Sequence, residues 1–226
     1  SMGNIQWENT IGGRHDDRLF SVQQTTDGGY ILGGYSNSDI HADKTESSMG
    51  TYDYWVVKLN STGGIQWQNT IGGSGYDQLD EIQQTTDGGY ILGGWSNSDA
   101  SGDKAENRVG AYDYWIVITD SLGNIQWQNT IGGNDGDYLQ SLNKTSDGGY
   151  VIGGYSRSNI SGDKSENSMG GPYTHDYWIV KTDAMGNIHW QNTIGGSGDD
   201  IITFIQQTTD DGFIFGGRSN SNISGD

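Results

Sequence analysis

The chain has 226 residues, 31% of them hydrophobic, with eight tryptophans and thirteen tyrosines, enough to bury a core and too many for a disordered segment. Eleven basic against twenty-nine acidic residues give a formal charge of −18, a field that repels nucleic acid and anionic membrane surfaces. Cysteine is absent, which excludes a disulfide framework, thiolate metal sites and cysteine nucleophiles, and no apolar run is long enough for membrane insertion or a signal-peptide core.

Ser1-Met2 look like a cloning remnant, so the missing leader says nothing about secretion. From Ile5-Gln6-Trp7 onward the chain repeats itself. Ile65-Gln66-Trp67, Ile125-Gln126-Trp127 and Ile188-His189-Trp190 recur at spacings of 60, 60 and 63 residues, a fixed period. One domain, residues 1–226, is thus divided into repeats over 3–62, 63–122, 123–185 and 186–226. The three extra residues of the third copy lie between Glu166 and Asp176, around Gly171-Pro172, and insertions of this kind belong in loops.

The second copy carries the strand pattern most clearly. Ile65 to Ile71 alternates apolar and polar side chains and stops at Gly72-Gly73, which predicts a first strand. Leu79 to Thr86 predicts a second, and Asp87-Gly88-Gly89 reverses the chain into a third, Tyr90 to Trp95. After a polar loop, Asp113 to Ile118 forms the fourth, and Asp120 to Asn124 turns it into the next Ile-Gln-Trp strand. That strand is apolar on consecutive residues, as Tyr54, Trp55, Val56 and Val57 are in the first copy, the pattern of a strand buried on both faces.

No stretch has helical amphipathicity, which excludes helical solenoids, and hairpins of this kind disfavour a β-helix. Four strands in each repeat of about sixty residues predict an all-β chain of β-propeller blades. Three of the strand patterns occur four times, but Asp-Tyr-Trp occurs only at 53–55, 113–115 and 176–178. One strand is therefore missing at a terminus, leaving fifteen. If the polar loop links blades, the N-terminal blade lacks its first strand; if it lies within a blade, the C-terminal one lacks its last. Either way an edge is left unpaired, and the chain is expected to be an excerpt of a longer array or to close against a second copy.

The run Trp190 to Asp200, followed by Thr209-Asp210-Asp211-Gly212-Phe213-Ile214-Phe215-Gly216-Gly217, resembles the bacterial SBBP-type β-propeller repeat. Asp113 to Val117 and the Ser121-Leu122-Gly123-Asn124 turn do so too, and the resemblance extends over nearly the whole chain. It implies a scaffold of Bacteroidota-type secreted or cell-surface proteins, hence an extracellular location, and carries no single activity. The first copy departs from the pattern, with Arg14-His15 in place of Ser-Gly.

The polar loops hold the candidate sites. Asp39, Asp43 and Glu46 recur as Asp99, Asp103 and Glu106, as Asn159, Asp163 and Glu166, and in the stub Asn222 to Asp226. Oxygen donors at the first, fifth and eighth positions of a loop suit calcium, which takes six to eight oxygens, although the spacing is not that of an EF-hand and a lysine adjoins each set. Local Asx-type turns in a solvated loop explain the same residues and are favoured. Asp17, Asp77, Asp137 and Asp200, and likewise Asp53, Asp113 and Asp176, recur at fixed registers and are expected to accept backbone N–H bonds.

No catalytic constellation is visible. The histidines His15, His41, His175 and His189 fall at non-equivalent positions, and neither a nucleophile elbow nor a phosphate loop is present. The chain is thus read as no enzyme but a structural and interaction module, with protein partners or a homodimer. The alternative is a calcium-assisted carbohydrate-binding module, in which Trp95, Tyr35 and Tyr155 stack on sugars. Arg218 occupies the same register, which is therefore expected near solvent.

Overall fold

The structure, a computed structural model, describes residues 3–222. Among these there is no helix, and fourteen strands form antiparallel sheets in chain order. The first sheet holds β1 (Asp17–Gln24), β2 (Tyr30–Ser36), β3 (Asp53–Leu59) and β4 (Ile65–Ile71). The second holds β5 (Asp77–Gln84), β6 (Tyr90–Ser96), β7 (Asp113–Thr119) and β8 (Ile125–Ile131). The third holds β9 (Asp137–Lys144), β10 (Tyr150–Ser156), β11 (Asp176–Thr182) and β12 (Ile188–Ile194), and the last only β13 (Asp200–Gln207) and β14 (Phe213–Ser219).

Local chemistry explains the tight turns. Between β1 and β2, Asp27 Oδ1 accepts the Thr25 hydroxyl at 2.5 Å and the Gly29 N–H at 2.9 Å. Gly28 takes a φ of 81°, a conformation that costs a residue with a Cβ. The same device recurs at Asp87 and Asp147. Asn60, Asp120 and Asp183 close the turns between third and fourth strands by accepting the N–H two and four residues on, as Asx turns do.

Two expectations require correction. The polar loop lies within a sheet, between its second and third strands, yet the sheet does not begin with Ile-Gln-Trp; that segment is the outer strand of the preceding sheet. The break between sheets falls at the double glycine, where the chain crosses to the next sheet instead of turning back. In consequence neither terminal sheet of the described residues lacks just one strand. Among the described residues the last sheet has two strands, and residues 5–11 form none, since no Asp-Tyr-Trp strand precedes them within 3–222 to pair with.

Consecutive sheets pack face to face. β5 lies against β1, β2 and β3, β9 against β5, β6 and β7, and β13 against β9, β10 and β11. Each interface is an apolar layer: Ile31, Tyr54 and Val56 meet Leu79, Ile82 and Trp115 in the first, and Ile91, Tyr114 and Ile116 meet Leu139, Leu142 and Trp178 in the second. All seven residues of β3 are buried, as expected of a strand covered on both faces.

Candidate functional site

The aspartates that recur in every copy hold the chain crossings. Asp77 Oδ2 accepts the Gly73 N–H at 2.7 Å and the Ser98 hydroxyl at 3.0 Å. Asp17, Asp137 and Asp200 repeat the bond with Gly13, Gly133 and Gly196 at 2.6, 2.7 and 2.9 Å. Asp53, Asp113 and Asp176 accept the N–H of Met49, Val109 and Met169, each at 2.7 Å. Their expected role as backbone acceptors is thus observed. Burial outweighs these bonds and pushes Asp53 up to about 6 and Asp137 to about 7. The departure at Arg14-His15 leaves the turn intact, because His15 donates its N–H to Ser38 Oγ at 2.9 Å as Gly75 does to Ser98 at 2.8 Å.

The structure places the loop carboxylates apart from one another. Asp43, Asp103 and Asp163 accept the N–H of Gly12, Gly72 and Gly132 at 3.2, 3.3 and 3.1 Å. In the second and third sheets this ties the loop to the end of the preceding sheet. Glu46, Glu106 and Glu166 turn the other way, accepting the N–H of Thr70, Thr130 and Thr193 at 2.6, 2.7 and 2.5 Å on the outer strand of their own sheet. Asp39 is exposed beside His15 and His41, Asp99 meets Arg108 at 3.6 Å, and Asn159 accepts the Ser161 hydroxyl through its carbonyl. Among the described residues no three His, Cys, Asp or Glu side chains gather as a metal set. In the fourth stub only Asn222 lies within the described residues.

The lysine beside each set, treated in sequence as a charge offset, is the centre of the loop. Lys44, Lys104 and Lys164 are buried. Lys104 Nζ donates to the Glu106 carbonyl at 2.9 Å and to Thr130 Oγ1 at 2.6 Å, and lies 5.7 Å from the Trp115 ring centroid. Lys44 does the same with Glu46, Thr70 and Trp55, and Lys164 with Thr193 and Trp178. A glutamine completes the clamp: Gln128 accepts from the Trp115 indole at 3.2 Å and the Ala105 N–H at 2.9 Å, and donates to the Asp103 carbonyl at 2.7 Å. Desolvation lowers the pKa of all three lysines, that of Lys164 to about 8. The loop thereby covers the open edge of each outer strand. A lysine recurring at one loop register together with a glutamine in the facing strand was the available signal.

The three candidate ligand-binding aromatics belong to a ladder that runs through the sheet interfaces. Tyr35 meets Tyr52 at 5.2 Å and Tyr76 at 5.8 Å. Trp95 stacks on Tyr76 at 5.0 Å with an interplanar angle of 3° and meets Tyr112 and Tyr138 edge-on. Tyr155 stacks on Tyr138 at 5.0 Å and meets His175. This register is buried at Tyr35, half-buried at Trp95 and Tyr155 and exposed at Arg218. Sequence missed their partners because Tyr76 and Tyr138 occupy different registers, the one before and the one after the repeated aspartate, and fill the same kind of space from two backbone positions. Beside Tyr155, His175 Nδ1 lies 3.0 Å from Asp199 Oδ1.

Compared with known proteins, the chain matches no family model, and no curated protein matches it in sequence.

Proposed function

We propose that the chain is a non-catalytic structural and interaction scaffold, a run of β-propeller blades of the SBBP repeat type presented outside the cell. One observation carries this reading: the polar side chains that recur at fixed registers, the aspartates, lysines, glutamates and glutamines, are engaged in tying backbone. Aspartates hold the crossings, and the Lys-x-Glu pair with its glutamine clamps the loop to the outer strand. A catalytic site needs unlike groups converging on one reacting atom, whereas repetition multiplies the same bond along the chain. The face-to-face order of four-stranded meanders, with their first strands adjacent, supports the propeller geometry, and the repeat motifs support the surface location. The sugar-binding alternative draws less support, because Trp95 presents its face to Tyr76.

Small-angle scattering tests the reading. A flat, curved or ring-shaped particle is expected, and an extended rod overturns the propeller. A calcium-dependent signal on a glycan panel, lost in Trp95→Ala, favours the alternative.

A further inference from the structure

Two of the sheet junctions carry the same groove, built from equivalent side chains. Between the first and second sheets, both complete, a groove of about 370 Å³ is walled by Trp67 and Leu122 and edged by Asp27, Lys58, Gln66 and Gln84. Its volume is that of a small-ligand cleft. Between the third and fourth sheets a groove of about 290 Å³ has Trp190, Asp147, Lys181 and Gln207 at the equivalent positions.

In both grooves a buried ammonium group fixes a carboxylate at the rim. Lys58 Nζ meets Asp27 Oδ2 at 2.9 Å and donates to the Leu59 carbonyl and to Gln66 Oε1, each at 3.0 Å. Lys181 meets Asp147 at 2.8 Å. The lysines are buried, whereas the aspartate side chains are 55% and 52% exposed. A glutamine of the following sheet steadies the aspartate's turn: Gln84 accepts the Thr26 N–H at 2.9 Å and Gln207 that of Ser146 at 2.7 Å. Behind them Trp67 meets Tyr90 at 5.7 Å and Trp190 meets Phe213 at 5.4 Å, both edge-on.

The fold does not require this set, and the middle junction shows it. There Ile118 stands at the register of Lys58, and Lys144 at that of Gln84. Asp87 nevertheless closes its turn with Thr85 and Gly89, and Trp127 packs into the junction against the turn at Gly186. Lysine and glutamine at these positions are therefore separable from turn formation and from sheet packing.

What the first groove leaves open defines its ligand. All three donors of the Lys58 ammonium have partners in Asp27, Leu59 and Gln66, so it positions other groups rather than meeting a ligand. The Thr25 hydroxyl, Lys58 and the Gly29 N–H hold Asp27 well below the usual carboxylate range, which keeps an ionised acceptor at the rim. The indoles of Trp55, Trp115 and Trp178 donate to Gln68, Gln128 and Gln191, whereas among the described residues that of Trp67 has no acceptor. Gln66 is exposed, with its amide nitrogen free while its oxygen serves Lys58. The ion pair cancels its own charge, so the groove favours neither an anion nor a cation. An acceptor and two donors beside an indole suit a neutral molecule that carries hydroxyls around an apolar C–H face, which describes a sugar ring. The second groove is more acidic, with Asp211 at the register of Gly88 accepting the Ser146 hydroxyl at 2.8 Å.

We infer that the groove between the first and second sheets binds a neutral saccharide without calcium, its ring against Trp67 and its hydroxyls on Asp27 and Gln66, and that the groove between the third and fourth sheets is a second such site. This goes beyond the scaffold reading and uses no residue of the Trp95 register.

The test is an array of neutral glycans probed with the whole chain in chelator, the strongest binder then being titrated by calorimetry. Two sites per chain are expected, one for each groove. Gln66→Ala, at an exposed side chain, should weaken the first site about tenfold, the size of one hydrogen bond to the ligand. Trp67→Leu should leave one site, and Trp67→Leu with Trp190→Leu none. Conversely, Ile118→Lys with Lys144→Gln should add a third site at the middle junction, a gain that a merely loosened chain cannot give. An array without a bound neutral glycan, binding that needs calcium, or a site number unmoved by the tryptophan substitutions overturns the inference. Particle shape separates the two readings: a ring-like scattering profile with no glycan bound overturns this inference alone, and an extended rod that binds glycan overturns the scaffold reading alone.

Discussion

Replacing Lys104 by methionine keeps the aliphatic stem beside Trp115 and removes only the ammonium group, so it separates a clamp from an ion cage. The ammonium makes two hydrogen bonds, at 2.9 and 2.6 Å, to acceptors facing it in a buried pocket. Bonds from a charged donor contribute about 1.5–3 kcal/mol each, and leaving a buried acceptor without a donor costs about 1–3 kcal/mol. Relief from the desolvation that lowers the lysine's pKa offsets part of this, so a net loss of about 3 kcal/mol is expected. Equilibrium urea unfolding at pH 7, followed by tryptophan fluorescence with the slope fitted, measures it. Asp99→Ala is the companion, since Asp99 is exposed and its ion pair with Arg108 spans 3.6 Å; a change below about 1 kcal/mol is expected. Both values should be the same in calcium and in chelator. If Lys104→Met stays within about 0.5 kcal/mol of wild type, the size of an ordinary surface substitution, and Asp99→Ala is destabilising only in calcium, the loops are metal sites and the clamp argument fails.

Three further outcomes are expected. Asp53, Asp80 and Asp137, pushed up to about 6, 7 and 7 from 3.8 by burial, retain protons in the folded chain that the unfolded chain has released. The stability they confer is complete below pH 3.8 and is lost as pH rises through about 7, while Lys164, lowered to about 8, acts above that window. The urea midpoint should therefore climb from pH 8 to pH 5, and Asp80→Asn, which removes a buried carboxylate oxygen without a partner, should raise the midpoint at pH 8 and flatten the slope; a midpoint that falls on acidification contradicts this. Gly132→Ala would put a Cβ 1.9 Å from the buried Asp113 carboxylate and should cost more than about 3 kcal/mol, whereas Gly148→Ala, with open space but a φ of 85°, should cost about 1 kcal/mol by the same unfolding assay. Trp95→Ala removes a stacked and two edge-on aromatic contacts and should destabilise by about 2–3 kcal/mol, independently of any added sugar.

Strand positions and turns were legible because they depend on neighbours in sequence. Alternation in Ile65–Ile71 and the Asp-Gly-Gly turns are written within a few residues, and the repeated aspartates betrayed their structural duty by recurring at one register. The role of Lys104 was not legible, because its partner Thr130 lies 26 positions away and becomes a neighbour only when the loop folds onto the outer strand. The aromatic ladder escaped for a related reason. Trp95 looked like a ligand face because its register tolerates Arg218, yet its ring stacks on Tyr76.

The sequence by itself determined the all-β character, the tandem period and the strand patterns, since these follow from side-chain alternation and turn chemistry that act locally. Only the tertiary structure decided where one sheet ends and the next begins, and which equivalent residues are buried. Leu19 and Leu79 are the same residue in the same pattern, at 57% and 0% exposure. What distinguishes them is the sheet that stands in front, and burial is a property of that neighbour, which no local pattern encodes.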